Sequence, residues 1–93
     1  MHKMANVKIP TPLRKYTNEL GDVEINADTV KELIDNLDKK YPGIKQRLCD
    51  EKGAIRKYIN IYVGDEDIRF LQGENTKIEK NKEVIIVPAI AGG

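Results

Sequence analysis

The sequence is poor in the residues that metal binding and nucleophilic catalysis require. Its 93 residues include one histidine, His2, and one cysteine, Cys49, far apart in the chain. Zinc sites need several His or Cys ligands, and an activated nucleophile needs a neighbouring base. Gly-rich phosphate-binding motifs are also absent. We therefore expect no metal site, no cofactor bound by the chain itself and no enzymatic activity.

Aromatic residues, excess charge and long apolar runs are scarce as well. Four tyrosines, one phenylalanine and no tryptophan offer little surface for base stacking, and a net charge of +1 gives no attraction for nucleic acid or acidic lipid. No segment approaches the ~20 apolar residues of a membrane span. A single cysteine excludes an internal disulfide. These features predict a cytoplasmic protein that binds neither nucleic acid nor membrane.

The length predicts one domain over residues 1–93, with a mobile leader at residues 1–5. Alternating apolar residues predict a strand around residues 7–9 and a second around residues 23–25, joined as a hairpin by a long loop.

A helix is predicted to begin after Thr29. Glu32 lies three residues later and completes a capping box, and Pro42-Gly43 would end the helix. A further helical turn is expected near residues 44–48. The apolar residues of the main helix recur at helical spacing and form one stripe: Val30, Leu33, Ile34, Leu37 and Tyr41.

The second half of the chain predicts mainly strands. Residues 58–63 alternate as in a strand, and residues 64–67 form an acidic turn without the ligand spacing of an EF-hand loop. A short edge strand is expected at 68–71 and a continuously apolar, central strand at 84–87. This order predicts an α+β fold of the β-grasp type, a mixed sheet with one main helix packed on one face and the last strand parallel to the first.

The chain ends in Ala89, Ile90, Ala91, Gly92 and Gly93, predicted as a flexible tail. Five extended residues span at most roughly 17 Å, enough for the tail to thread a partner's active site. Ile90 is either an anchor at the channel mouth or an incidental exposed residue. The Gly93 carboxylate is a poor electrophile, but a partner holding ATP could activate it as an acyl-adenylate. The alternative is a frayed or arbitrarily cut terminus.

With these features the chain resembles the ubiquitin-like sulfur carrier family that includes MoaD and ThiS, most closely its CysO-like branch. The segments that carry the resemblance are residues 7–18, 41–44, 60–63, 67–71 and 88–93. The resemblance implies a ubiquitin-like β-grasp fold and a thiocarboxylate formed at Gly93. It implies three partners: an E1-like adenylating enzyme of the MoeB/ThiF type that uses ATP and magnesium, a sulfur donor, and a sulfur-accepting enzyme. The acceptor would be of the cysteine synthase-like, molybdopterin synthase large-subunit or thiazole synthase type.

The resemblance also implies a docking surface near the root of the tail, at Arg14, Leu71 and Val87. Core packing is the alternative for Leu71 and Val87, and a loop charge without a partner is the alternative for Arg14. Two other functions stay open: a protein modifier joined through Gly93 to lysines of target proteins, and a non-covalent adaptor. Cys49 is interpreted as a small buried apolar residue, with a reactive thiol as the alternative.

Overall fold

A computed structural model describes residues 4–79 and 82–89 of the chain. Five strands in these ranges form one sheet, in the order β2-β1-β5-β3-β4. The strands are β1 (Met4–Lys8), β2 (Asp22–Asn26), β3 (Ile59–Val63), β4 (Glu66–Asp67) and β5 (Glu83–Pro88). Two α-helices, α1 (Val30–Lys40) and α2 (Ile44–Leu48), connect β2 to β3 along the chain.

The last strand occupies the centre of the sheet, between the first and the third. β5 pairs in parallel with β1, with Val84 opposite Val7, and antiparallel with β3, with Ile86 opposite Ile61. β1 and β2 form the antiparallel hairpin. The predicted β-grasp arrangement is therefore confirmed, including the parallel pairing that a right-handed crossover requires.

Helix α1 begins as its capping box predicts. The Thr29 hydroxyl accepts a hydrogen bond from the Glu32 amide at 3.2 Å, and the Glu32 carboxylate accepts one from the Asp28 amide at 3.0 Å. The Glu32 carboxylate thus bonds the amide of the residue before the N-cap, and not the amide of Thr29 itself. Two amides at the helix start that have no partner within the helix are satisfied in this way. The helix ends at Lys40, just before Pro42-Gly43.

One face of the sheet is covered and the other is open. Side chains of α1 pack on the covered face, and all five residues of its predicted apolar stripe are buried. The sheet contributes buried apolar residues from four strands: Ala5, Val7, Val23, Ile25, Ile59, Ile61, Val63, Val84 and Ile86. Side chains on the open face alternate with these along the strands because the side-chain period of a strand is two.

Three local predictions are wrong, the first of them at the N-terminus. Met4 and Ala5 belong to β1, opposite Asn26 and Ile25, so the predicted leader 1–5 is too long; residues 1–3 lie outside the described residues. Ala5 joins the strand because it is buried in the core.

The predicted turn at 64–67 and edge strand at 68–71 are also wrong. The turn contains only Gly64 and Asp65, and β4 follows directly. A 3₁₀ helix, Ile68–Phe70, replaces the edge strand because the Asp67 carboxylate accepts a hydrogen bond from the Arg69 amide at 2.9 Å and caps the helix. Within the described residues, no helix is long and apolar enough to cross a membrane.

Candidate functional site

The root of the C-terminal tail is fixed at the end of the central strand. Pro88 lies opposite Ile59, and the Ala89 amide donates a hydrogen bond to the Tyr58 carbonyl at 2.6 Å. Ala89 is thus held to the sheet, which corrects the prediction that the flexible tail begins at this residue. Residues 90–93, including the predicted reactive residue Gly93, lie outside the described residues.

Arg14 lies in a connection at the same end of the sheet as the tail root. Because β1 and β5 are parallel, the segment after β1 and the tail after β5 leave the sheet at one end. Arg14 is part of a 3₁₀ helix, Thr11–Tyr16, and its Nε donates a hydrogen bond to the Ile9 carbonyl at 3.0 Å. The guanidinium also lies over Gly21, where an added Cβ would come within 2.9 Å of it. Contacts within the fold therefore hold the Arg14 side chain against Ile9 and Gly21.

Val87 lies on the open face of the sheet, directly opposite Asn60 of β3. Its side chain is 39% exposed, so it does not belong to the core. Two residues earlier, Ile85 lies between Lys8 of β1 and Tyr62 of β3 and is half-buried. The centre of the open face is therefore a short apolar strip that leads along β5 to the tail root.

Charged pairs flank this strip on both sides. On the β1 side, Lys8 forms ion pairs with Asp22 and, at 3.7 Å, with Glu83. The hydrogen bond that the Lys8 ammonium group donates to the Asp22 carboxylate raises the pKa of Lys8 above its usual value. An apolar centre with a charged margin is the arrangement common at protein interfaces.

On the β3 side, Asp67 lies opposite Tyr62 and pairs with Arg69, whose Nη2 lies 2.8 Å from the Asp67 Oδ2. The side-chain hydrogen bonds from Arg69 hold the pKa of the Asp67 carboxyl group below its usual range, and the Arg69 amide adds to the shift. The carboxylate is thus kept ionised although Asp67 is buried.

Leu71 lies beyond β4, two strands away from β5 in the sheet order. Its side chain is 40% exposed, so core packing does not explain it either. Its neighbour Phe70 is 85% exposed and was missed in the sequence analysis. A signal was available, because Phe70 is the only phenylalanine of the chain and adjoins a predicted docking residue.

The described residues contain no cluster of three or more His, Cys, Asp or Glu side chains that could hold a metal ion. Cys49 is buried, and desolvation raises the pKa of its thiol. The thiol is therefore protonated at neutral pH, and the interpretation of Cys49 as a buried apolar residue fits its surroundings.

Comparison with known proteins places this tail and sheet in a family. The sequence profile of the ThiS family matches residues 7–93, which include the end of β1, the other four strands in full and the C-terminal residues through Gly93. The chain belongs to the ThiS family. Its relatives include the sulfur carrier protein CysO of Mycobacterium tuberculosis, 43% identical over 89 residues that cover 94% of this chain and 96% of the relative.

Solved structures of related proteins share the fold of this ThiS-family chain. A chain in the crystal structure of the BexX/CysO complex from Amycolatopsis orientalis has a TM-score of 0.89 and 40% identity, covering 96% of this chain and 99% of that one. Small archaeal modifier protein 1 from Methanosarcina acetivorans has a TM-score of 0.83 and 26% identity, covering 100% of this chain and 99% of that one.

Proposed function

We propose that this ThiS-family chain is a sulfur carrier protein whose Gly93 carboxylate is converted to a thiocarboxylate. One observation carries the proposal. The ThiS-family match extends through Gly93, and the tail that ends at Gly93 starts from the central strand β5. The name of its M. tuberculosis relative, at 43% identity over nearly the whole chain, supports the same function. In this proposal the chain is a substrate for partner enzymes and supplies no catalytic group.

The conversion takes two steps on the partner enzymes. A Gly93 carboxylate oxygen attacks the α-phosphorus of ATP, and pyrophosphate leaves with magnesium, which gives a glycyl adenylate. A sulfide nucleophile then attacks the acyl carbon, and AMP leaves with the shared oxygen. The product is a thiocarboxylate in which sulfur replaces one carboxylate oxygen. Activation is needed because an oxide is a poor leaving group, whereas AMP leaves readily.

The folded part of the chain positions this chemistry. The Ala89–Tyr58 hydrogen bond and the pairing of Pro88 with Ile59 fix where the tail starts relative to the open face. Four further residues span at most roughly 14 Å when extended, so an enzyme docked on the open face can receive Gly93. Ala91, Gly92 and Gly93 have small side chains or none, which suits a narrow channel, and Ile90 would pack at its mouth.

Val87 and Leu71 are proposed as contacts for the partners, since both are partly exposed. Arg14 is proposed as a third partner-binding residue, held beside the tail root by its hydrogen bond to the Ile9 carbonyl. The partners would be an E1-like enzyme of the MoeB/ThiF type and a sulfur-accepting enzyme. Similarity to CysO proteins favours a cysteine synthase-like acceptor.

The test is intact-mass measurement of the chain ending at Gly93 after incubation with an E1-like enzyme, ATP, magnesium and a sulfide source. We expect the mass increase that corresponds to exchange of one oxygen for sulfur. A chain without Gly93 and a chain with one alanine added after it serve as matched variants. Both should keep the wild-type urea midpoint and gain no sulfur. Sulfur gain in either variant would contradict the proposed site.

A second candidate function is protein modification through Gly93. It is favoured by the structural likeness to small archaeal modifier protein 1, at a TM-score of 0.83. Covalent high-mass conjugates that disappear when Gly93 is deleted would support this function. Partner binding that is unchanged by the same deletion would instead support a non-covalent adaptor.

A further inference from the structure

Positive charge is concentrated at the end of the molecule from which the tail leaves. Three segments meet there: the 3₁₀ helix 11–16 that follows β1, residues 39–47 from the end of α1 into α2, and residues 56–58 just before β3. They contain no acidic residue and eight basic residues, which we call the tail-end cluster: Arg14, Lys15, Lys39, Lys40, Lys45, Arg47, Arg56 and Lys57.

Hydrogen bonds connect these segments to one another and to the tail root. The Nε atom of Arg47 donates a bond to the Tyr16 hydroxyl at 2.7 Å. Arg56 donates two bonds to the Gln46 carbonyl, from Nε at 3.2 Å and from Nη2 at 2.9 Å. The Tyr58 carbonyl accepts the bond from the tail root. The three segments therefore form one end of the molecule, beside the point where the tail begins.

Most cations of the tail-end cluster are positioned by groups that carry no charge. The two arginine contacts above are with a hydroxyl and a carbonyl. The Nζ atom of Lys15 lies 5.6 Å from the centroid of the Tyr16 ring, and that of Lys40 lies 5.7 Å from the Tyr41 ring. Among the described residues, Lys45 is the one member that forms a salt bridge. Uncharged partners position a cation without cancelling its charge, so the positive charge at this end remains uncompensated.

Acidic residues that flank these segments do not neutralise them. The Asp38 carboxylate accepts hydrogen bonds from the amides of Gly43 and Lys45, both at 3.1 Å. The Asp50 carboxylate accepts bonds from amides within its own turn. Glu19 is exposed and forms none of the salt bridges found in the described part of the chain.

The opposite end of the molecule, where β5 begins, is acidic. There the bridge between Thr29 and Lys77 joins the start of α1 to the segment before β5, and the Gly64 amide bonds the carbonyl at the start of β5 at 2.8 Å. The segments at this end are 28–32, 64–66, 74–79 and 82–83. They contain seven acidic and three basic residues. The net charge of +1 therefore conceals a separation of charge along the strands.

We propose, on the basis of the carrier function above, that the tail-end cluster docks on an acidic surface around the channel of the enzyme that receives Gly93. The tail starts beside the cluster and is short, so an enzyme that admits the tail brings its own surface against the cluster. An acidic surface there attracts this end of the carrier and repels the opposite end. The charge separation thus turns the tail towards the channel before contact and speeds association.

A protein surface suits the tail-end cluster better than a nucleic acid does. Proteins that bind single strands stack bases on exposed aromatic side chains. The three segments contain Tyr16, Tyr41 and Tyr58, of which only Tyr58 is exposed. The tail that leaves beside the cluster also ends in a negative carboxylate, which repels phosphates.

The test measures association of the full chain with the E1-like enzyme by stopped-flow fluorescence at about 0.15 M salt. The cluster variant is Lys15→Glu, Lys40→Glu, Lys57→Glu. The matched control, Lys31→Glu, Lys77→Glu, Lys82→Glu, has the same net charge but alters exposed lysines of the acidic end. We expect the association rate constant of the cluster variant to fall at least about tenfold. The control should stay within about threefold of the wild type, because a five-residue strand separates the two ends by about 16 Å, roughly twice the Debye length.

The wild-type rate constant should fall as salt increases, whereas that of the cluster variant should not. A triple glutamine variant at the same three cluster lysines should show an intermediate rate, and the urea midpoints of all variants check that they fold. Equal slowing of the cluster and control variants would show an effect of net charge alone and contradict oriented docking. Association of a folded cluster variant at the wild-type rate would overturn the proposal.

The sulfur-loading measurement separates this docking proposal from the carrier function. If the wild type and the control variant both associate with the enzyme but gain no sulfur, the carrier function fails, while the association rates still decide how the cluster acts. An oligothymidylate of about ten nucleotides tests the other class of partner. It should bind the wild type at least about a hundredfold more weakly than the enzyme does at the same salt concentration. Binding as tight as that of the enzyme would assign the cluster to nucleic acid and overturn the proposal.

Discussion

The backbone amide of Ala89 donates a hydrogen bond to the carbonyl oxygen of Tyr58, 2.6 Å away, where β5 ends beside the start of β3. This bond extends the central β-ladder to the last described residue. Any force on the tail is therefore transmitted to a strand that is paired on both sides. A carrier that must be pulled into an enzyme's active site and released gains from such a root, because the fold is not loosened when the tail is engaged.

Replacing Val87 with lysine is expected to weaken binding of the activating enzyme by at least about tenfold, as charge enters an apolar contact. Val87 is partly exposed, so the free energy of unfolding should change by no more than about 1 kcal/mol. Titration calorimetry with the enzyme and urea unfolding measure the two effects.

The control for this variant is Ile86→Ala, at the neighbouring residue on the covered face. Ile86 is buried, so its truncation should lower the free energy of unfolding by about 2–5 kcal/mol. Enzyme affinity of the folded fraction should stay at the wild-type value. An unchanged affinity in Val87→Lys would contradict a docking role for the open face.

Replacing Arg69 with methionine is expected to make stability less dependent on pH at the acidic end. Arg69 lowers the pKa of Asp67 in the folded protein, so the ionised pair stabilises the fold above the usual carboxyl range of about pH 4. That stabilisation is lost as the pH falls through the lowered pKa. Arg69→Met should therefore lower the free energy of unfolding more at pH 7 than at about pH 2.

Urea unfolding at both pH values measures this difference, and an NMR titration of the Asp67 carboxyl group should show its pKa rising in Arg69→Met. In an Asp67→Asn background the same Arg69 substitution should have little effect at either pH, because the pair is already broken. If Arg69→Met lowered the free energy of unfolding equally at both pH values, Arg69 would stabilise the fold through packing alone.

Replacing Thr29 with alanine is expected to lower the free energy of unfolding by about 1 kcal/mol, because the Glu32 amide loses its side-chain acceptor. Thr29→Ser keeps the hydroxyl and should stay close to the wild type. The urea midpoints of the three proteins provide the comparison. A matching loss in the serine variant would show that the methyl group, and not the cap, stabilises this position.

Replacing Cys49 with alanine is expected to leave sulfur loading of Gly93 unchanged, because the thiol is buried and its pKa is raised by desolvation. In the native protein the thiol should react with Ellman's reagent at least about a hundredfold more slowly than in urea. Rapid native labelling, or a folded Cys49→Ala variant that cannot be loaded, would show that the thiol takes part in the reaction.

Elements whose pattern is local were predicted well. The capping box at Thr29, the stripe from Val30 to Tyr41 and the stop at Pro42-Gly43 all depend on neighbours within a few residues, and each is found in the structure. The segment 68–71 was wrongly predicted as an edge strand. The choice between strand and 3₁₀ helix at Ile68 depends on the Asp67 cap and on burial of Ile68. The apolar residues at 68–71 suit both structures.

The sequence alone determined the order of the strands and helices, the chemical nature of the tail and the membership of a carrier family, because these follow from residue types and short spacings. Only the tertiary structure decided which apolar residues face the solvent. Ile86 and Val87 are neighbours of nearly equal hydrophobicity, yet the pleat of a central strand buries Ile86 in the core and leaves Val87 on the open face.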